Sequence, residues 1–170
     1  LRVALSGVPR RVRGLEPVMA SRHDLERLHQ REYLAWLQGI ARGDCYSDFN
    51  TYVCPESFRV ALHAAGSSIA AAMEAIDGHN CFAMVRPPGH HAEAGRARGF
   101  CLLNNAAIAA AASLGSTDRV AIVDWDLHHG NGTQEIFYAT DRVLFCSVHQ
   151  AHGFPGTGGV DETGSGPGRG

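Results

Sequence analysis

The stretch Val120-Ala121-Ile122-Val123-Asp124-Trp125-Asp126-Leu127-His128-His129-Gly130-Asn131-Gly132-Thr133 decides the fold. Its first four residues are an unbroken apolar run without polar alternation, the pattern of a strand covered on both faces. Gly130-Asn131-Gly132 turns the chain, and Thr133 starts a short helix that runs to about Tyr138. Between strand and turn lies chemistry. If the chain stays extended past Val123, residues Asp124, Asp126 and His128 point to one side. Carboxylate oxygen and imidazole nitrogen together suit zinc or another divalent first-row metal. Taken alone, Asp-x-Asp-x-His is a short pattern that reads equally well as a turn acid beside an exposed His.

Working outward, Val143-Leu144-Phe145-Cys146 forms the next strand, and Cys81-Phe82-Ala83-Met84-Val85 an earlier buried one, broken by Arg86-Pro87-Pro88-Gly89. Asn104-Asn105 caps an alanine-rich helix through Leu114, closed by Gly115. The order after residue 80 is therefore β-α-β-α-β. This predicts an α/β fold, a three-layer α/β/α arrangement around a mainly parallel sheet. Ligands of such sheets bind at the carboxyl ends of strands, where His90-His91, His128-His129 and His149/His152 all fall. Upstream, Ser21 with Asp24 caps a helix carrying Leu25, Leu28, Leu34 and Leu37. Residues 39–54 read as a polar loop. Pro55 opens a long helix whose face is Phe58, Leu62, Ala65, Ile69, Met73 and Ile76, ended by Gly78. Residues 1–20 are weakly patterned, and from 153 onward Gly and Pro imply loop. No repeat or linker divides the chain, so residues 1–170 form a single domain with its chemistry in 82–159.

Composition narrows the partners. With 170 residues, 45% apolar and 19% charged, the chain can bury a core. A net charge of -2 gives no basic field for nucleic acid or an anionic membrane, so neither is expected as a direct partner. No apolar run approaches the roughly 18 residues of a span. Leu1 to Gly7 lacks the apolar centre of a signal peptide, and no initiator Met heads the sequence. Five cysteines, an odd number without Cys-x-x-Cys, argue against a disulfide framework and for a reducing cytoplasm. Cys81 and Cys146, inside apolar runs, read as small buried hydrophobes.

Two prolines fix the backbone directly before His90-His91. Such a pair can supply a general base and a second proton-transfer group, or it can ligate metal. Asp124 and Asn131 could each hold one imidazole by a ring N–H, setting tautomer and orientation. A carboxylate raises an imidazole's pKa more than an amide does, so the two His would be inequivalent.

Arg86-Pro87-Pro88-Gly89-His90-His91-Ala92, Gly99-Phe100-Cys101-Leu102-Leu103-Asn104-Asn105 and Asp124-Trp125-Asp126-Leu127-His128-His129-Gly130-Asn131-Gly132-Thr133 resemble the histone deacetylase family in order and spacing. Ser147-Val148-His149 and Phe154-Pro155-Gly156-Thr157-Gly158 continue the resemblance, which runs from about residue 20 to the last residue. Asn131, where some members have Asp, looks more like the class II and bacterial deacetylase-like branch, which includes acetylpolyamine amidohydrolases.

The resemblance implies an arginase/deacetylase-type fold, with only the N-terminal half to two-thirds of the strands in this chain. It implies Asp126 and His128 as zinc ligands, with iron or cobalt as alternative metals. It implies His90 and His91 as the catalytic His pair, backed by Asp124 and Asn131 respectively. A structural potassium ion would take Asp124, the Ser147 hydroxyl and backbone oxygens of Asp126, His128 and Val148. A second monovalent site would match backbone near Phe137, Thr140 and Val143. Gly99, Phe100 and Phe154 would line the substrate channel. The reaction implied is zinc-dependent hydrolysis of an acetyl amide on a lysine or polyamine. The sequence departs from the family at Arg98, where a small or apolar residue is usual, and at Ala151-His152-Gly153 on the channel rim. The family's third zinc ligand and its transition-state Tyr or His are expected beyond Gly170, so this chain reads as part of a catalytic domain. Two other readings compete: a non-enzymatic partner-binding module, and, ranked lower, an arginase-like metal hydrolase.

Overall fold

The computed structural model describes residues 12–169. Residues 1–11, read above as weakly patterned, and Gly170 lie outside the described residues. In chain order the elements are α1 (Arg22–Leu25), α2 (Arg31–Ile40), β1 (Cys45–Tyr46), β2 (Tyr52–Val53), α3 (Ser57–Ile76), α4 (Asn105–Ser113), β3 (Val120–Asp124), α5 (Asn131–Phe137), β4 (Val143–Ser147) and a 3-10 turn (Gly166–Gly168). Among the described residues no helix is long and apolar enough to cross a membrane.

The parallel pairing that the 120–133 stretch implied is present. β3 and β4 pair in parallel, Val120 opposite Val143 through Asp124 opposite Ser147. Their connection is α5, which packs back on the pair. One face of the pair is covered: Val143 and Phe137 join Ala107 and Ala110 of α4, with Val120, Ile122 and Ile136 packed alongside. The other face carries Val123 at 57% and Leu144 at 62% exposure. The larger core lies in the helical layer, where Leu25, Leu34, Leu37, Val53, Leu103 and Ile108 are all buried and α3 packs along α4. Tyr33 extends this layer by donating from its hydroxyl to the Leu102 carbonyl at 2.6 Å.

Four local expectations are corrected. The helix begun at Ser21 does form, with a reciprocal capping box between Ser21 and Asp24. It breaks after Leu25, because residues 26–30 turn so that the Gln30 amide can donate to the Ala94 carbonyl at 2.9 Å. The expected loop 39–54 contains a small antiparallel hairpin, Cys45 opposite Val53 and Tyr46 opposite Tyr52. Residues 81–85 form no strand: they find no ladder partner among the described residues, and Phe82 is 83% exposed. An extended apolar run has the same periodicity with or without a neighbour, so its sequence could not separate the two cases. Cys81 and Cys146 are exposed rather than buried. Cys146 alternates onto the uncovered face of β4.

Candidate active site

The loop bearing the His pair is moored from two sides. From α4, Asn105 Nδ2 donates to the Pro87 carbonyl at 3.0 Å, and Asn104 Nδ2 donates to the Ala92 carbonyl at 3.1 Å. Asn104 also caps its own helix, accepting from the Ala107 amide. From α5, the amides of Gly132 and Thr133 donate to the His90 carbonyl at 2.9 and 3.2 Å. The N-cap residue of α5, Gly130, makes no side-chain cap. The histidine loop therefore satisfies helix-end donors that a capping side chain normally takes. The approach is so close that a Cβ on Gly132 would collide with the Ala92 carbonyl.

His90 and His91 lie with ring centroids 3.9 Å apart. His90 Nδ1 is 2.9 Å from Asp124 Oδ2, and His91 Nδ1 is 2.9 Å from Asn131 Oδ1. The two imidazoles thus have a carboxylate and an amide behind them. Burial raises the Asp124 carboxyl, yet hydrogen bonds from His90 and from the Asp126 amide outweigh it and hold the group below the usual carboxylate range. For His91 burial dominates, reinforced by the neighbouring His90, and its pKa falls to about 4. His91 is therefore a neutral imidazole near pH 7.

Past β3 the chain climbs by two side-chain-to-backbone bonds. Asp124 Oδ1 accepts from the Asp126 amide at 3.1 Å, and Asp126 Oδ1 accepts from the His128 amide at 2.8 Å. This brings Asp126 Oδ1 to 3.3 Å from His128 Nδ1 and 3.9 Å from His90 Nε2. A carboxylate oxygen and an imidazole nitrogen thus converge beside the His pair, a donor set that fits two positions around a divalent ion. Among the described residues no group of three or more such donors is assembled. Ser147 and Val148 lie at the matching end of β4: the Val148 amide donates to the Asp124 carbonyl at 2.9 Å, and the Ser147 hydroxyl is 2.8 Å from His149 Nδ1. The backbone at Phe137, Thr140 and Val143 runs through the turn linking α5 to β4.

Phe154 stands edge-on to both site imidazoles, 4.9 Å from the His91 centroid and 5.8 Å from that of His128. Gly99, at φ +55°, fits between: a Cβ there would sit 2.6 Å from His91 Cδ2 and 3.1 Å from Phe154 Cε1. Phe100, at φ +68°, is held in that conformation by Thr51, whose hydroxyl accepts from its amide at 2.9 Å. Its ring borders a shallow cavity of about 310 Å³ with Thr51, Tyr52, Pro87 and Leu102.

Several contributors were not singled out from sequence. Arg98, noted only as a departure, lays its guanidinium 5.1 Å over the Phe154 ring and donates to the Pro155 carbonyl. Glu93 accepts from Asn131 Nδ2 at 2.8 Å. His29 accepts from the Asn104 amide at 3.1 Å. Buried His129 lies 2.8 Å from the Thr157 hydroxyl and 3.0 Å from Gln134 Oε1, and Gln134 donates on to Glu162. That chain fastens the loop bearing Phe154. Asn104, in its Asn-Asn pair at a helix start, gave the signal of a cap, and His129 stood in a strand-end His cluster without an assigned role.

The family model describing the histone deacetylase domain matches residues 2–170. A probable deacetylase from Archaeoglobus fulgidus is 47% identical over 159 residues, covering 92% of this chain and 44% of that protein. The crystal structure of the HDA15 HD domain superposes with a TM-score of 0.92 at 40% identity, covering 98% of this chain and 49% of the other. An acetylpolyamine aminohydrolase from Burkholderia pseudomallei superposes with a TM-score of 0.85 at 34% identity, covering 91% and 56%. The chain spans about half the length of these relatives.

Proposed function

This chain belongs to the histone deacetylase family, and on that premise we propose that its site serves hydrolysis of an acetyl amide on a lysine side chain or a polyamine, with zinc as cofactor and potassium as a structural ion. The observation that carries the reading is the His pair with unlike partners, set beside Asp126 and His128 under the edge of Phe154. Asp126 and His128 would hold the divalent ion, which when bound supplies Lewis-acid polarisation of the acyl carbonyl and a lower pKa for water. Asp124, Ser147 and the backbone of Val148, Asp126 and His128 would hold the potassium.

The chain's own groups divide the remaining work. His91 is neutral, and its Nδ1 is committed to Asn131, so Nε2 is the atom that takes the proton from the attacking water. His90, with the Asp124 carboxylate behind it, helps return a proton to the leaving amine. Phe154 stands edge-on to the His91 and His128 rings, Gly99 lets the backbone pack tightly between His91 and Phe154, and Phe100 and Phe154 would flank the thin alkyl stem. A reducing cytoplasm is part of the same proposal, in keeping with five free thiols.

The test uses the full-length gene product, with an acetyl-lysine peptide and an acetylpolyamine as substrates. Chelation is expected to abolish hydrolysis, and added zinc to restore it. His91→Ala is expected to lower kcat by about 10²–10⁴-fold. Hydrolysis that survives complete metal removal would overturn the proposal.

A further inference from the structure

We infer that Glu93 is a positioning residue that fixes the proton of His91 on Nδ1 by dictating which way the Asn131 amide faces. This rests on the reading of His91 as the proton acceptor. The geometry is a three-membered chain. Glu93 Oε1 is 2.8 Å from Asn131 Nδ2, and Asn131 Oδ1 is 2.9 Å from His91 Nδ1. The Arg98 guanidinium lies 3.8 Å from the same Glu93 oxygen.

An amide side chain offers an acceptor at one end and a donor at the other, and rotating it by a half-turn exchanges them with little change in shape. Asn131 alone therefore cannot choose a tautomer for His91. With Oδ1 towards the ring, the ring must donate from Nδ1. With Nδ2 towards it, Nδ1 must accept, the proton sits on Nε2, and the ring can no longer take one there. An ionised carboxylate only accepts hydrogen bonds. Glu93 therefore claims the Nδ2 end, and Oδ1 is left for His91. Asn131 and His91 are both buried, so water does not compete for either end.

The same logic explains why position 131 carries an amide here. A carboxylate at 131 would accept from His91 equally well, but its second oxygen would face Glu93 at hydrogen-bonding distance, two acceptors without a proton between them. The acid at 93 and the amide at 131 are thus one unit, and changing either alone breaks its polarity.

The experiment compares Asn131→Asp, Glu93→Gln and the double variant in the full-length protein, by kcat/KM and by ¹⁵N NMR of labelled His. The wild type is expected to carry the His91 proton on Nδ1. Asn131→Asp alone is expected to lose about tenfold or more in kcat/KM. Adding Glu93→Gln, whose amide can donate to the new carboxylate, is expected to recover most of that loss, a non-additivity typical of groups in direct contact. A wild-type His91 protonated on Nε2, or an Asn131→Asp loss that Glu93→Gln leaves unmoved, overturns the inference. A wild type that hydrolyses no acyl amide would sink the reaction proposed above, while the NMR tautomer still decides this point.

Discussion

The helical layer and the strand pair of this molecule both arise from apolar runs, yet they end in opposite conditions. Leu34, Leu37, Leu103 and Ile108 are wholly buried, whereas Val123 and Leu144 stand more than half exposed. The difference lies in what each register faces. Helix periodicity turns Leu34 and Leu37 of α2 into one buried cluster with residues of α3 and α4, while strand alternation turns every second side chain of β3 and β4 to the uncovered face. The site inherits the contrast. His91 and Asn131 are buried and moored to the helical layer, and Asp126 and His128, past the end of β3, are about half exposed. The half that holds the His pair is thus preset by packing, and the half that holds Asp126 and His128 is held mainly by its own turn.

This contrast can be broken at the core first. Leu103→Ala or Leu34→Ala should cost about 2–5 kcal/mol in urea unfolding. A loss under about 1 kcal/mol would mean the helical layer is not the stabilising half. Next in size is the effect of pH on buried His29, whose pKa burial lowers to about 4 despite backbone bonds to Ala94 and Glu93 that oppose the shift. Between about 6.5 and 4 the unfolded chain binds a proton that the native His29 refuses. Stability should therefore be unaffected by this group above pH 6.5 and should fall by up to about 3 kcal/mol as the pH drops towards 4. Denaturation midpoints across that range should flatten in His29→Gln, and an unchanged slope would remove His29 as the cause. The smallest effect belongs to the strand face, where Leu144→Ala should shift stability by no more than about 0.5 kcal/mol. A core-sized loss there would show that this face is covered in solution.

The parts readable from sequence are those set by local period. The β3–α5–β4 order, the strand-end position of Asp124, and the caps at Ser21 and Asn104 all follow from patterns a few residues long. That Asp124 and Asn131 would each hold one imidazole was legible from the residues, while the pairing of His90 with Asp124 and His91 with Asn131 came from the family resemblance. Other features depended on contacts distant in sequence. Glu93 matters through a residue 38 positions away, and the break between α1 and α2 exists to reach Ala94. Apolar spacing continues through that break and through residues 81–85, so periodicity alone gave a longer helix and an extra strand.

The His90 carbonyl receives the first free amides of α5. Fraying of that helix end and release of the histidine loop are therefore one opening, with one free energy. In hydrogen exchange the amides of Gly132 and Thr133 become reporters of the loop as much as of the helix. A seven-residue helix would ordinarily exchange its end protons almost freely. Here their protection measures how long the two imidazoles stay in place.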